Sequence, residues 1–121
     1  INCETDFVAK NQLFQEFVKD VSLQIAAANP KYLRREDVPA DVIAKEKEIL
    51  GVQIKGKPAN IVEKIVEGKV EKFFQEVCLL DQPFVKDGNL AIKDLLNNKI
   101  SAIGENILIR RFVRFQIGEE I

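Results

Sequence analysis

Few side chains in this 121-residue chain can do chemistry, and their spacing narrows what that chemistry is. Histidine is absent, so neither a Ser-His-Asp nor a Cys-His nucleophile system can be assembled within it. Zinc would have to rely on Cys3, Cys78 and carboxylates, a poor ligand set for two cysteines so far apart. Gly56-Lys57-Pro58 reads as a turn and lacks the rest of a phosphate-binding loop. Carboxylates are plentiful, yet spacing nominates no acid–base pair among them. No catalytic residue, metal ligand or cofactor site is therefore expected. Two stretches remain. In TDFV, a polar Thr5-Asp6 step leads into Phe7-Val8 at a strand-to-helix junction. A rigidly supported Phe7 there can fill a pocket on another protein, worth about 1.5–3 kcal/mol on full burial. In RRFVRF, arginines interleave with aromatics, and Arg110, Phe112 and Arg114 share one parity. On a sheet, that face can stack bases and hold single-stranded nucleic acid, so an RNA- or ribosome-binding α+β module is the alternative function.

Each stretch also has a plainer account. Phe7 lies seven residues before Phe14, so it can simply lengthen a helix stripe, with Thr5 or Asp6 as the N-cap. The arginines of the last strand can pair with carboxylates on a neighbouring element. A net charge of −1 and a pI near 5.6 supply no global pull toward nucleic acid, and direct nucleic-acid binding is not expected. The tracts KEKE and EKIVEGKVEK read as solvated helix faces with ordinary i,i+4 pairs.

Composition places these stretches on a soluble globular frame, 46% hydrophobic and 31% charged. The length suits one domain over residues 1–121. No apolar run approaches the roughly 18–20 residues of a membrane span, and no basic-then-apolar leader is present. Two sparse cysteines suggest buried thiols in a reducing compartment. Ile1 already sits in what reads as a strand, so the chain is expected to be a fragment or a trimmed product.

Residues 1–5 read as a short strand. Over residues 8–29 the apolar positions Phe14, Phe17, Val18, Val21, Ile25 and Ala28 recur at three and four, which predicts one helix ended by Asn29-Pro30. Lys31-Tyr32-Leu33 is a short extended piece. Pro39 opens a second, weaker helix bearing Val42, Ile43, Ile49 and Ile54. PANIVEKIVEGKVEKFFQEV is the clearest helix, with Ile61, Val62, Ile65, Val66, Phe73 and Val77 on one side. Asp87-Gly88-Asn89 predicts a turn before a helix over 90–103, with Gly104 as its left-handed cap. Near-alternation over 107–117 predicts a long strand, which needs partners from residues 1–5 and the Tyr32 piece. The expected fold is α+β: about three antiparallel strands with helices on one face. The even face of its last strand, with Arg110, Phe112 and Arg114, suggests cover by a second copy.

INCETDFVAKN, NPKYL, LLDQPFVKD and IGENILIRRFVRFQIGE, in that order, resemble the hallmark segments of the translation elongation factor Ts family. The likeness runs over essentially the whole chain. It implies a cytoplasmic guanine-nucleotide exchange factor that binds elongation factor Tu in its GDP and nucleotide-free forms. It also implies a dimerisation domain and a mechanism without bond chemistry. The family's Mg²⁺-dislodging segment falls on Thr5, Asp6, Phe7 and Val8. Phe7 would wedge between helices of the Tu GTPase domain, with Asp6 beside it disrupting the magnesium network. The family's N-terminal helical module and the coiled-coil insertion of its larger members are not found in this sequence. Short members without that insertion form homodimers, whose second subunit adds contacts to Tu.

Overall fold

The computed structural model of the chain describes residues 1–53 and 56–120. Ile54, expected on the second helix, lies outside the described residues. The elements in order are β1 (Asn2–Cys3), α1 (Asp6–Ala9), α2 (Gln12–Ala28), α3 (Ala40–Gln53), α4 (Ala59–Val77), β2 (Pro83–Phe84), β3 (Asp87–Ala91), α5 (Ile92–Ile103) and β4 (Ile107–Leu108). Short 3-10 turns at Arg35–Asp37 and Leu79–Asp81 flank the α3–α4 pair. The class is α+β, as expected, but the strands form two separate antiparallel pairs, β1 with β4 and β2 with β3. No three-stranded sheet is present among the described residues.

The first predicted helix is really two. Asn11 adopts extended backbone, with φ −68° and ψ 136°, and its Oδ1 accepts the Leu13 N–H at 2.8 Å. It therefore caps α2 and interrupts the helical path from Val8. Phe14, Phe17 and Val21 are buried on the expected stripe, joined by Gln24. Asn29, in the left-handed region at φ 49°, ends α2 as predicted.

The chain then runs beside the end of α4. Lys31 and Tyr32 both donate to the Val77 carbonyl, and Leu79 N–H donates to Tyr32 O at 2.8 Å. Tyr32 thus makes a single parallel bridge to Cys78 and leaves the C-terminal strand without that partner.

The expected turn at Asp87-Gly88-Asn89 instead opens β3, and the reversal falls at Val85 and Lys86. Side chains of α2 explain the shift. Gln24 Oε1 accepts the Val85 N–H at 2.8 Å, and Lys86 Nζ pairs with Asp20 at 2.7 Å. In α5, Ile92 and Leu95 are buried while Leu96, Ile100 and Ile103 pack partly against the core. Gly104, at φ 82°, forms the predicted left-handed cap.

The long C-terminal strand is the largest correction. Its ladder is confined to Leu108 opposite Asn2 and Ile107 opposite Cys3. Beyond it the buried parity switches: Ile107 and Ile109 are buried, Arg110 and Arg111 are both exposed, and Phe112 is half-buried against the core. Alternation in a sequence specifies two faces, but a strand forms only where a partner offers its amides and carbonyls.

Polar ties join the layers. Arg35 pairs in bidentate fashion with Glu71 and donates Nε to Asp81 at 3.1 Å, while Lys93 reaches the other Asp81 oxygen at 3.3 Å. The Arg35 guanidinium also lies 5.0 Å above the Phe74 ring. The hydrogen bonds it donates to Glu71 and then to Asp81 hold its pKa well above the ordinary arginine range.

Candidate protein-docking turn

The turn at residues 5–8 is built from both ends of the chain. Thr5 has extended backbone, and its Oγ1 accepts the Val8 N–H at 3.4 Å, so Thr5 is the N-cap left open between it and Asp6. Glu105, just past the Gly104 cap of α5, grips the same residue. Its Oε1 accepts the Thr5 N–H at 3.0 Å and its Oε2 accepts the Thr5 hydroxyl at 2.8 Å. Inside the turn, Ala9 N–H bonds Thr5 O and Asn11 N–H bonds Val8 O.

Burial divides the four residues sharply. Val8 is 6% exposed and belongs to the core with Phe14, Phe17 and Ile107. Phe7 is 84% exposed, and Asp6 is exposed beside it in the first turn of α1. The helix-stripe account of Phe7 therefore fails, because the break at Asn11 removes the seven-residue register with Phe14. What remains is an apolar ring and a carboxylate held outward by a buried valine and a gripped threonine.

The other candidate face does not assemble as expected. Arg110 is exposed, but Phe112 is half-buried against the core and Arg114 folds onto the end of α2. Arg114 Nη2 donates to Ala26 O at 3.3 Å and Nη1 donates to Gln116 Oε1 at 2.9 Å. The outward side chains here are instead Val113 at 68%, Phe115 at 85% and Ile117 at 102% exposure. A cleft of about 450 Å³ lies under this segment, between α2 and Phe112.

Cys78 is buried and Cys3 partly buried, and both are free thiols. Burial, reinforced by the nearby Asp81 charge, pushes the Cys78 thiol up from its ordinary 9.0 to about 11. Cys78 is thus an inert packing residue. Among the described residues, no cluster of three or more potential metal ligands occurs, and no helix is long and apolar enough to cross a membrane.

Sequence reasoning missed Glu105 and Gln24. Glu105 stands in the quoted IGEN segment, but nothing local ties it to Thr5, one hundred residues away. Gln24 sits on the apolar stripe of α2, and only its place on that stripe hinted at burial.

A family pattern described as Elongation factor TS matches residues 15–119, beginning after the turn at 5–8. Elongation factor Ts of Carboxydothermus hydrogenoformans is 64% identical over 98% of this chain and 56% of its own length. That of Thermodesulfovibrio yellowstonii is 61% identical over 98% of the chain and 60% of its own length. That of Alkaliphilus oremlandii is 62% identical over the whole chain and 57% of its own length. The chain therefore spans less than two thirds of these curated relatives. A match over most of the chain, with identities of this size, shows that it belongs to the elongation factor Ts family.

Proposed function

We propose that this chain is the core of a guanine-nucleotide exchange factor for elongation factor Tu, acting in the cytoplasm by protein–protein contact. Its support is family membership together with one observation, the 84% exposure of Phe7 on a one-turn helix anchored at Val8. A phenylalanine left in water stabilises nothing in its own fold and is available to a partner's pocket.

In this reading Phe7 enters between helices of the Tu GTPase domain and shifts the groups that hold Mg²⁺ and its waters. Asp6 brings a carboxylate beside that network. Thr5 and Val8 supply the rigid base. The GDP phosphates lose counter-charge and oriented donors, and GDP leaves. Linkage requires that a partner which weakens GDP binding is itself bound more weakly by the GDP form than by the nucleotide-free form. Each tenfold loss of nucleotide affinity needs about 1.4 kcal/mol of differential binding. One phenylalanine thus supplies roughly one to two powers of ten, and the remaining interface supplies the rest. A second copy of the chain, docked on the exposed side of the C-terminal segment, completes the assembly. No nucleic acid takes part.

Stopped-flow release of a fluorescent GDP analogue from Tu tests the reading. The chain accelerates release, and Phe7→Ala reduces the acceleration about tenfold or more. The thermal midpoint of Phe7→Ala stays within the small range of surface substitutions. An unchanged release rate in the folded variant would refute the wedge.

A further inference from the structure

We propose that Glu105 is a positioning residue for the docking turn, acting from the far end of the chain to fix how Asp6 and Phe7 are presented. The inference rests on the exchange-factor reading above and adds a residue to it. Among its described hydrogen-bond partners Glu105 acts on Thr5 alone, through the backbone N–H at 3.0 Å and the hydroxyl at 2.8 Å.

Two features make this more than an incidental surface contact. First, α1 has only four residues, from Asp6 to Ala9, and a helix that short is not stable by itself. Its outward residues keep one orientation only if the preceding backbone is held. Val8 fixes the inner side of the turn by burial, and Glu105 fixes its start, so the turn is held at two points. Second, the bonds are charge-assisted and bidentate, which restrains rotation about Thr5 as well as its distance. The Thr5 hydroxyl donates to Glu105 while accepting from the Val8 N–H, so one atom joins both restraints. Glu105 in turn is aimed by the left-handed Gly104 at the end of α5, with β4 pairing with β1 directly after it. Order in the turn is thereby established before the partner arrives, and docking does not have to supply it.

The test is a double-mutant cycle in the full chain, using Glu105→Ala and Phe7→Ala. It is read by stopped-flow GDP-analogue release from Tu and by amide hydrogen exchange. Glu105→Ala is expected to expose the Thr5 and Val8 amides to faster exchange while the α2 and α5 amides stay protected. It lowers the maximal release rate about five- to tenfold. In the Phe7→Ala background the same substitution has little further effect, because its influence passes through the missing ring. Thr5→Val, which removes the hydroxyl at nearly constant shape, gives a similar loss that is not additive with Glu105→Ala. Glu105→Gln, which keeps one acceptor and the reach, restores part of the rate.

Equal losses from Glu105→Ala with and without Phe7 would overturn the positioning role and leave the exchange-factor reading intact. Thr5 and Val8 amides that remain protected in Glu105→Ala would overturn the clamp itself. A Phe7→Ala chain with undiminished exchange would refute the wedge reading, and the positioning role would fall with it. If Glu105→Ala fails to fold, the Thr5→Val and Glu105→Gln arms decide in the same way.

Discussion

Gln24 illustrates how much a single polar side chain organises here. It is fully buried on α2, where its Nε2 donates to Gln82 Oε1 at 3.2 Å and to Pro83 O at 3.1 Å. Its Oε1 accepts the Val85 N–H, and Gln82 Nε2 continues the chain to Glu76 O at 2.8 Å. One amide therefore registers α2 against the β2–β3 hairpin and, through Gln82, against the end of α4. Such networks are worth most when every member is satisfied, and each orphaned group costs desolvation. Gln24→Leu keeps the size but strands the Val85 N–H and the Pro83 carbonyl. We expect it to lower stability by about 3 kcal/mol, read from the urea midpoint at constant m-value. A loss under about 0.5 kcal/mol, the range of ordinary surface changes, would show that the network does not hold the hairpin.

At the scale of elements, legibility followed the source of the structural signal. The stripe of α2, the α4 run, the Asn29 stop and the Gly104 cap were all readable, because each depends on residues within a few turns of one another. The break at Asn11 was hidden by its own surroundings: Phe7 and Phe14 share a seven-residue spacing that imitates one continuous helix. The hairpin turn was misplaced because Asp87-Gly88-Asn89 carries the local turn residues, and the Asp87 carboxylate does accept the Asn89 N–H at 3.1 Å. What decides the turn is Gln24, sixty-one residues away from Val85. The site divides in the same manner, with Thr5, Asp6, Phe7 and Val8 visible as a motif and Glu105 visible only in three dimensions. The Asn11 cap makes a test of this local logic. Asn11→Ala removes the acceptor for Leu13 N–H and is expected to destabilise the chain by about 1 kcal/mol in a thermal melt. An unchanged midpoint would mean that packing of Val8 and Phe14 alone sets the break.

At the scale of the whole molecule, the C-terminal segment poses the sharpest physical problem. Val113, Phe115 and Ile117 turn outward on the same parity, while Phe112 and Arg114 are engaged with the body of the protein. The outward set is apolar, consecutive in parity and unpaired by any ladder among the described residues. Second-copy docking, as proposed above, would bury it against its own counterpart. In a two-fold interface one substitution acts twice, once on each protomer, so its effect on association is roughly squared relative to a one-sided contact. Phe115→Glu places two carboxylates where two rings would meet. We expect the native chain to sediment at twice its 13.7 kDa mass at micromolar concentration, and Phe115→Glu to sediment as a monomer. Because Phe115 is 85% exposed in the single chain, the variant keeps its amide protection pattern in α2 and α5. A native chain that sediments as a clean monomer would remove the second copy from the mechanism and leave the Phe7 turn to act alone.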